Sequence, residues 1–209
     1  MLTPYQKFFT GRPTPRIAQD LLGTTLYYHG PKGTVGGLIV ETEAYLGEND
    51  SASHAYNGRR TAYTESLYGL PGTIYLYQIR GHYCLDIAVQ AQDVPHGVLI
   101  RGLEPCLNSE QMAANRRQTG FAISNGPAKL VQALGINSRK LDGQPLENNI
   151  LTIDIARHYI PREIAVSSRI GVNLNKKDGN APLRFYVQGN PYVSQMRKRD
   201  MDLSKYGWD

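Results

Sequence analysis

Leu38-Ile39-Val40-Glu41-Thr42-Glu43-Ala44-Tyr45 opens apolar and β-branched and closes on two carboxylates and a tyrosine. Its first half has the composition of a strand entering a core. Side chains alternate along a strand, so Val40, Thr42 and Ala44 share one face and Ile39, Glu41, Glu43 and Tyr45 the other. Two carboxylates at that spacing lie roughly 6.5–7 Å apart. Burying both as anions is costly without cationic or hydrogen-bonding partners. The strip is therefore either solvated or a site, and the apolar run feeding it argues against full solvation.

The flanking segments extend this strand into a sheet. Thr24 to Tyr28 is a second strand, and the turn His29-Gly-Pro-Lys-Gly33 folds it back as a hairpin. Arg16 to Gly23 is a short helix with glycine as its stop, and residues 1–15, with Pro4, Pro13 and Pro15, form an irregular arm. Ile74 to Ile79 is a strand with Tyr75 and Tyr77 on one face; residues 82–90 return antiparallel after a turn at Arg80-Gly81. Val98 to Leu103 is a buried strand carrying one arginine, Arg101, which must find an anion or reach water. The carboxylates of the Glu43 strand are its natural partners. Residues 108–118 and Gly126 to Gly135 are helices, the second with an early proline and a closing glycine. Ile150 to Ile155 and Pro182 to Val187 are short strands, Ile164 to Val172 is mixed, and the tail after Ser194 has no core pattern and is expected to fray. No repeat, linker or regular βαβ alternation is present. The expectation is a single α+β domain over residues 1–209, built on a largely antiparallel sheet, with 1–15 and 195–209 peripheral.

Composition narrows the chemistry. No run of 18 apolar residues is present, and Met1 to Thr10 lacks the apolar core of a signal peptide, so neither a membrane span nor secretion is expected. Cys84 and Cys106 make no metal-type pair, so a metal site is not expected and a reduced, cytoplasmic setting is the default. Lys and Arg outnumber Asp and Glu by 23 to 18, which permits a polyanionic partner. Residues 47–72 have little apolar periodicity and carry Asp50, His54, Arg59 and Arg60 with Tyr56 and Tyr63 interleaved. Such a long loop is either a solvated surface or functional. Arginine on phosphate and tyrosine on bases would suit nucleic acid.

The ordered motifs Ile17-Ala-Gln-Asp-Leu-Leu-Gly23, Val40-Glu-Thr-Glu-Ala-Tyr-Leu-Gly47, His54, Pro71-Gly-Thr-Ile-Tyr-Leu-Tyr77, Leu99-Ile-Arg-Gly-Leu-Glu-Pro105, Gly126-Pro-Ala-Lys-Leu130, Arg169-Ile-Gly-Val172 and Pro182-Leu-Arg-Phe-Tyr-Val187 span nearly the whole chain. Together they resemble the alkyladenine (3-methyladenine) DNA glycosylase family, the methylpurine glycosylases of base-excision repair. The resemblance implies a curved antiparallel sheet, similar to the C-terminal domain of methionyl-tRNA formyltransferase. It implies a monofunctional enzyme, without cofactor, that flips a damaged purine from double-stranded DNA and hydrolyses its N-glycosyl bond. A monomer is the natural form for scanning a duplex.

By motif position, Glu43 would be the general base, and Arg101 would hold the water and the Glu43 carboxylate, helped by the Ile170 carbonyl. Tyr45 and His54 would face one side of the base and Tyr77 the other, while the backbone at Ala52 and His54 reads its edge. Arg59, Arg60, Arg80 and Lys129 would meet DNA. Glu41 is expected to be paired behind the site.

This chain departs from the family pattern in places. Arg80, Ile79 or His82 stands where an apolar wedge is usual, and Asp86 replaces the asparagine common at the pocket floor. Tyr63 and Leu67-Tyr68 alter the loop. Asp86 leaves the lesion preference open. A silent DNA-binding relative would keep the basic loops but could lose Glu43 or Arg101; both are present. A carbohydrate hydrolase would need carboxylates flanking the scissile bond rather than sharing a strand face.

Overall fold

The stretch quoted first lies in the longest strand, β2 (Gly33–Tyr45), on which the sheet is assembled. The structure is a computed structural model that describes residues 1–156 and 159–209. β1 (Thr25–Gly30) pairs antiparallel with the first half of β2, and β8 (Arg184–Val187) pairs with Glu41 to Glu43 on the same side. β5 (His96–Leu107) runs antiparallel along the other side. Beyond β5 lie β4 (His82–Val89) and the edge strand β3 (Ile74–Ile79); β6 (Leu151–Asp154) extends past β1, and β7 (Ile164–Ser167) past β8. All the strand pairs are antiparallel, and the sheet curls into a half-barrel, the expected α+β architecture. The Glu41–Glu43 segment therefore has a strand on each side, so its backbone is satisfied without water.

Strict alternation is interrupted where the chemistry lies. The β2–β5 register shifts on either side of Glu41, leaving Val40 and Arg101 out of the Cα pairing. Irregularities of this kind bend a strand and re-aim its side chains. The Thr42 hydroxyl points the other way and donates to Ala18 O at 2.9 Å, in α2 (Thr14–Asp20). α2, with the buried Ile17, Leu21 and Leu22, covers that face with apolar core.

The open edge of β3 is closed by side chains and backbone of the 139–144 segment rather than by another strand. Asp142 Oδ1 accepts the Leu76 N–H at 2.9 Å, and Arg139 Nε donates to Leu76 O at 3.1 Å. Gln144 O takes the Ile74 N–H at 2.8 Å, so the edge offers little to a foreign strand. Helix α4 (Pro127–Leu134) starts with proline and ends at Gly135 with φ 85°, the left-handed stop expected there; α3 (Ser109–Arg116) packs beside it.

Both chain ends depart from expectation. Residues 4–8 form a helix, α1 (Pro4–Phe8), with a reciprocal capping box between Thr3 and Gln6, and Phe9 is wholly buried in the core. The tail is seated too: Trp208 is 5% exposed and donates from Nε1 to Glu104 Oε2 at 2.9 Å. Asp202 pairs with Arg162 and takes the N–H of Ser204 and Lys205. Single aromatic anchors and turn-bound aspartates leave no periodic trace, so the two ends looked peripheral when they are docked. The loop 47–72 is ordered by three short 3₁₀ turns, Gly47–Asn49, Tyr56–Gly58 and Glu65–Tyr68.

Candidate active site

Glu41 and Glu43 are both fully buried, and both meet Arg101. Arg101 Nε lies 2.9 Å from Glu41 Oε1 and 3.3 Å from Glu43 Oε1. Glu41 is saturated: it also accepts from Arg184 Nε at 2.7 Å, from the Ser194 N–H at 2.7 Å and from the Ser194 hydroxyl at 2.7 Å. Burial by itself would raise the Glu41 carboxyl, but Arg101, then Arg184 and the Ser194 N–H outweigh it and hold Glu41 below its usual value. Glu41 is thus the paired carboxylate behind the site that was expected.

Glu43 has fewer counter-groups. Oε1 accepts the Ile170 N–H at 2.7 Å and Oε2 the Tyr45 hydroxyl at 2.8 Å. Desolvation dominates; Arg101, Ile170 and Tyr45 only partly offset it, and the carboxyl is pushed above its ordinary value. The outcome is a buried carboxylate more basic than its neighbour, oriented by three donors. The Ile170 contact with Glu43 runs through its N–H; the resemblance had implied the carbonyl, acting on water.

A cavity of about 580 Å³ is lined among others by Tyr45, His54, Tyr77, Asp86, Arg101 and Ile170; Glu43 lies behind that lining, reached through Tyr45, Arg101 and Ile170. The size suits a small planar ligand, as such sites run ~300–1,000 Å³. Tyr77 stacks on Tyr75 with centroids 4.8 Å apart and planes 28° apart, as their shared strand face predicted. His54 is held by the Tyr75 hydroxyl, 2.9 Å from its Nδ1. The His54 ring meets Tyr77 edge to face, centroids 4.9 Å apart and planes at 87°. No base-thick gap separates those two rings, so His54 and Tyr77 do not face each other as the two walls of a slot. Burial, and then nearby Arg59, push the imidazole below its ordinary value and favour the neutral form.

The loop that carries Ala52 and His54 is tied down by a buried ion pair. Arg169 donates from both terminal nitrogens to Asp50, at 2.5 and 2.8 Å, and reaches Ala44 O at 3.1 Å. Asp50 in turn accepts the N–H of Leu46 and of Ala52, each at 3.0 Å. The Ala52 N–H is therefore spent internally, and only its carbonyl remains for a ligand. Lys176, another lining residue, donates to Ser51 O at 3.0 Å.

Asp86 is 5% exposed in the cavity wall, and its Oδ1 has no partner among the described residues. A Cβ on Gly97 would fall 2.4 Å from that oxygen, so glycine makes the room for it. Burial holds the Asp86 carboxyl well above the usual range; the Ile87 and Val98 N–H groups oppose this without prevailing. The shift favours the protonated form, which can donate as well as accept. Cys84, also in the wall, is pushed up to about 11 by burial and is a poor nucleophile.

The expected DNA contacts divide. Arg59 and Arg80 are exposed, with no carboxylate partner among the described residues, and Arg80 stands at the cavity mouth. Arg80 and Gly81 have φ of 49° and 81°, the left-handed pair of a tight hairpin turn, so Arg80 is presented at its tip. His82 is tethered by Gln132 at 3.0 Å, whereas Ile79 is 45% exposed on the same mouth. Lys129 is half-buried, its Nζ 2.7 Å from Asn125 Oδ1. Arg60 departs from expectation. Glu65 and Asp93 hold it at 2.6 and 2.7 Å, and it lies over the Tyr68 ring at 4.5 Å. Two carboxylates neutralise it, so it clamps the loop instead of offering a free charge. Among the described residues no His, Cys, Asp and Glu cluster could hold a metal ion, and no helix is long and apolar enough to cross a membrane.

Sequence reasoning missed the Asp50–Arg169 pair, Arg184 and Ser194 as partners of Glu41, and Lys176. Their signals were present singly, but no spacing rule links residues 119 positions apart.

Comparison with known proteins identifies the family. A protein-family model described as methylpurine-DNA glycosylase (MPG) matches residues 7–191. A relative from Latilactobacillus sakei is 51% identical over 202 residues, covering 96% of this chain and 95% of its own. Relatives from Lactobacillus delbrueckii and Staphylococcus saprophyticus are 48% and 46% identical, each covering at least 96% of this chain and 98% of its own. All three carry the name "putative 3-methyladenine DNA glycosylase". With the match running across both the Glu43 strand and the Ile170 segment, the chain belongs to the methylpurine-DNA glycosylase family.

Proposed function

We propose that this DNA glycosylase takes an alkylated or deaminated purine of the 3-methyladenine type out of duplex DNA into the 580 Å³ cavity and hydrolyses its N-glycosyl bond, leaving an abasic site. The observation that carries the proposal is Glu43, a buried carboxylate of raised basicity held beside an aromatic pocket by Arg101, Ile170 and Tyr45.

A purine alkylated at N3 or N7 is cationic and already leaves well, departing as a neutral base; a neutral deaminated purine would also need a proton as it leaves. What remains is to aim a water at a sugar that develops positive charge. Glu43 takes the proton and, as an anion just behind the lining, stabilises that charge. Arg101 fixes the carboxylate and the water without neutralising Glu43 fully, because Glu41 shares it. Tyr45 and Tyr77 offer ring faces to an electron-poor base, and a neutral His54 does not repel it. The Ala52 carbonyl and the backbone of His54 read the edge, and Asp86, whose Oδ1 is unpartnered in the pocket wall, meets the base from there. Damaged bases are cheaper to unstack, which adds selectivity. Arg80 fills the gap left by the flipped base, since a guanidinium stacks and meets phosphate at once. Arg59 and Lys129 hold the backbone, and the enzyme acts as a monomer in the cytoplasm at the start of base-excision repair.

The test is base release from duplexes that each bear one lesion, run beside Glu43→Gln. Release by wild type alone, with damaged-DNA binding kept by the variant, is the expected result. Turnover in Glu43→Gln would move the role to Glu41. No release from any lesion with binding intact would make the protein a silent DNA binder.

A further inference from the structure

The excision chemistry leaves one buried ion pair without a role. Arg169 and Asp50 are 0% and 2% exposed at their side chains. Besides Asp50, Arg169 donates to Ala44 O at 3.1 Å and Asp178 O at 3.0 Å, and its guanidinium lies over the Tyr45 ring at 4.6 Å. The next residue, Ile170, gives its N–H to Glu43. Asp50 gathers the N–H of Leu46 and Ala52. A second layer closes the same seam. Ser51 N–H donates to Asp178 Oδ2 at 2.9 Å, and the Asp178 N–H returns to Ser51 Oγ at 3.0 Å.

We propose that the Arg169–Asp50 pair is a positioning device. It locks the two segments that rim the pocket, 46–54 and 169–178, to the Glu43 carboxylate, so that the base-reading backbone and the water-activating group keep one fixed relation. The inference rests on the glycosylase reading of the pocket and adds the parts that hold its geometry. Three routes converge on this pair: through Ile170 to Glu43, through the Tyr45 ring to the hydroxyl that holds Glu43 Oε2, and through Asp50 to Ala52. An apolar pair could fill the same space at little cost in stability, since desolvating two charges consumes most of their attraction. What an apolar pair cannot do is aim hydrogen bonds at Ala44 O, the Leu46 and Ala52 N–H groups and Asp178 O, across segments more than a hundred residues apart. The buried Arg169 Nε goes without a partner, as expected if its other contacts dictate where the guanidinium sits.

The experiment compares wild type with Arg169→Met, Asp50→Asn and the double variant on a duplex bearing one cleavable lesion. Read out are the single-turnover rate at saturating enzyme, the half-saturating enzyme concentration, binding to undamaged duplex, and Tm, all well below each variant's melting. A misplacement of about 1 Å at a catalytic group costs ~100-fold in rate, and a loss of that size is expected in either single variant. Binding to undamaged duplex should hold, and the double variant should lose no more than the worse single. Arg169→Lys, which keeps the charge but not the paired contacts, should fall in between and serves if Arg169→Met does not fold. A wild-type rate in a folded Arg169 or Asp50 variant overturns the proposal. So does a rate that falls only in step with undamaged-DNA binding and folded fraction, which marks a purely structural pair. A wild type that releases no base overturns the glycosylase reading itself, whatever the variants do.

Discussion

Replacing Glu41 by glutamine removes one negative charge from a buried group of four and keeps the side-chain shape. Arg101 now has one anion to serve instead of two, 3.3 Å away at Glu43. Glu41 also stops repelling Glu43. Both Oε1 atoms touch the same Arg101 nitrogen, so they lie within about 6 Å of each other, and at an effective dielectric constant of ~20 that repulsion is about 2.8 kcal/mol. At 1.36 kcal/mol per pH unit, the Glu43 carboxyl should fall by about 1–2 units once screening is allowed for. The sign follows from its starting point. Wild-type Glu43 sits above its ordinary value because burial outweighs its donors, and the base works only when deprotonated. Rate therefore rises with pH through the Glu43 value, and Glu41→Gln moves this acid limb to lower pH. The assay is single-turnover base release across pH from a duplex carrying a permanently cationic purine, which needs no proton from solvent, so the limb reports the base alone. A limb that stays in place, or moves upward, would refute the division of Arg101 between the two carboxylates.

Asp86→Asn replaces a protonated acid by an amide of nearly the same shape, so it should cost little stability near pH 4. The folded-state Asp86 value is raised, so its contribution to wild-type stability is full below the ordinary carboxylate value and is lost as pH rises; the variant escapes that loss. The Tm difference, variant minus wild type, should grow with pH, and a flat difference would mean an ionised Asp86. Trp208→Ala should cost ~3–5 kcal/mol in denaturant unfolding, as for a buried tryptophan; an effect under about 0.5 kcal/mol would mean a frayed tail. Arg59→Ala should reduce the salt slope of DNA binding by about one ion, whereas Arg60→Ala, already neutralised by Glu65 and Asp93, should leave it unchanged. Arg80→Ala should weaken binding to flipped-base complexes more than to undamaged duplex; equal losses would make Arg80 an ordinary phosphate contact.

Much of this was legible along the chain. Apolar alternation with turn signals located the strands, because a strand's period of two is a local property. Proline and glycine bracketed α4 for a reason equally local, the missing N–H at its start and the left-handed stop at its end. The tension of two carboxylates in an apolar strand marked Glu41 and Glu43 as needing a cation, and the lone arginine of a buried strand was the natural supplier. The ordered motifs then pointed to the family. None of this required knowing where the chain turns back on itself.

Which carboxylate is satisfied and which is left basic was decided only in three dimensions. On one strand face Glu41 and Glu43 look alike, and they differ because Arg184 and the Ser194 N–H arrive at one of them from β8 and the segment behind it. Tertiary packing likewise tied Arg60 to two acids, raised the Asp86 carboxyl and seated both chain ends. Charge, burial and hydrogen bonding act through space at a few ångströms. A sequence lists the groups that can take part in such contacts, and only the fold chooses among them.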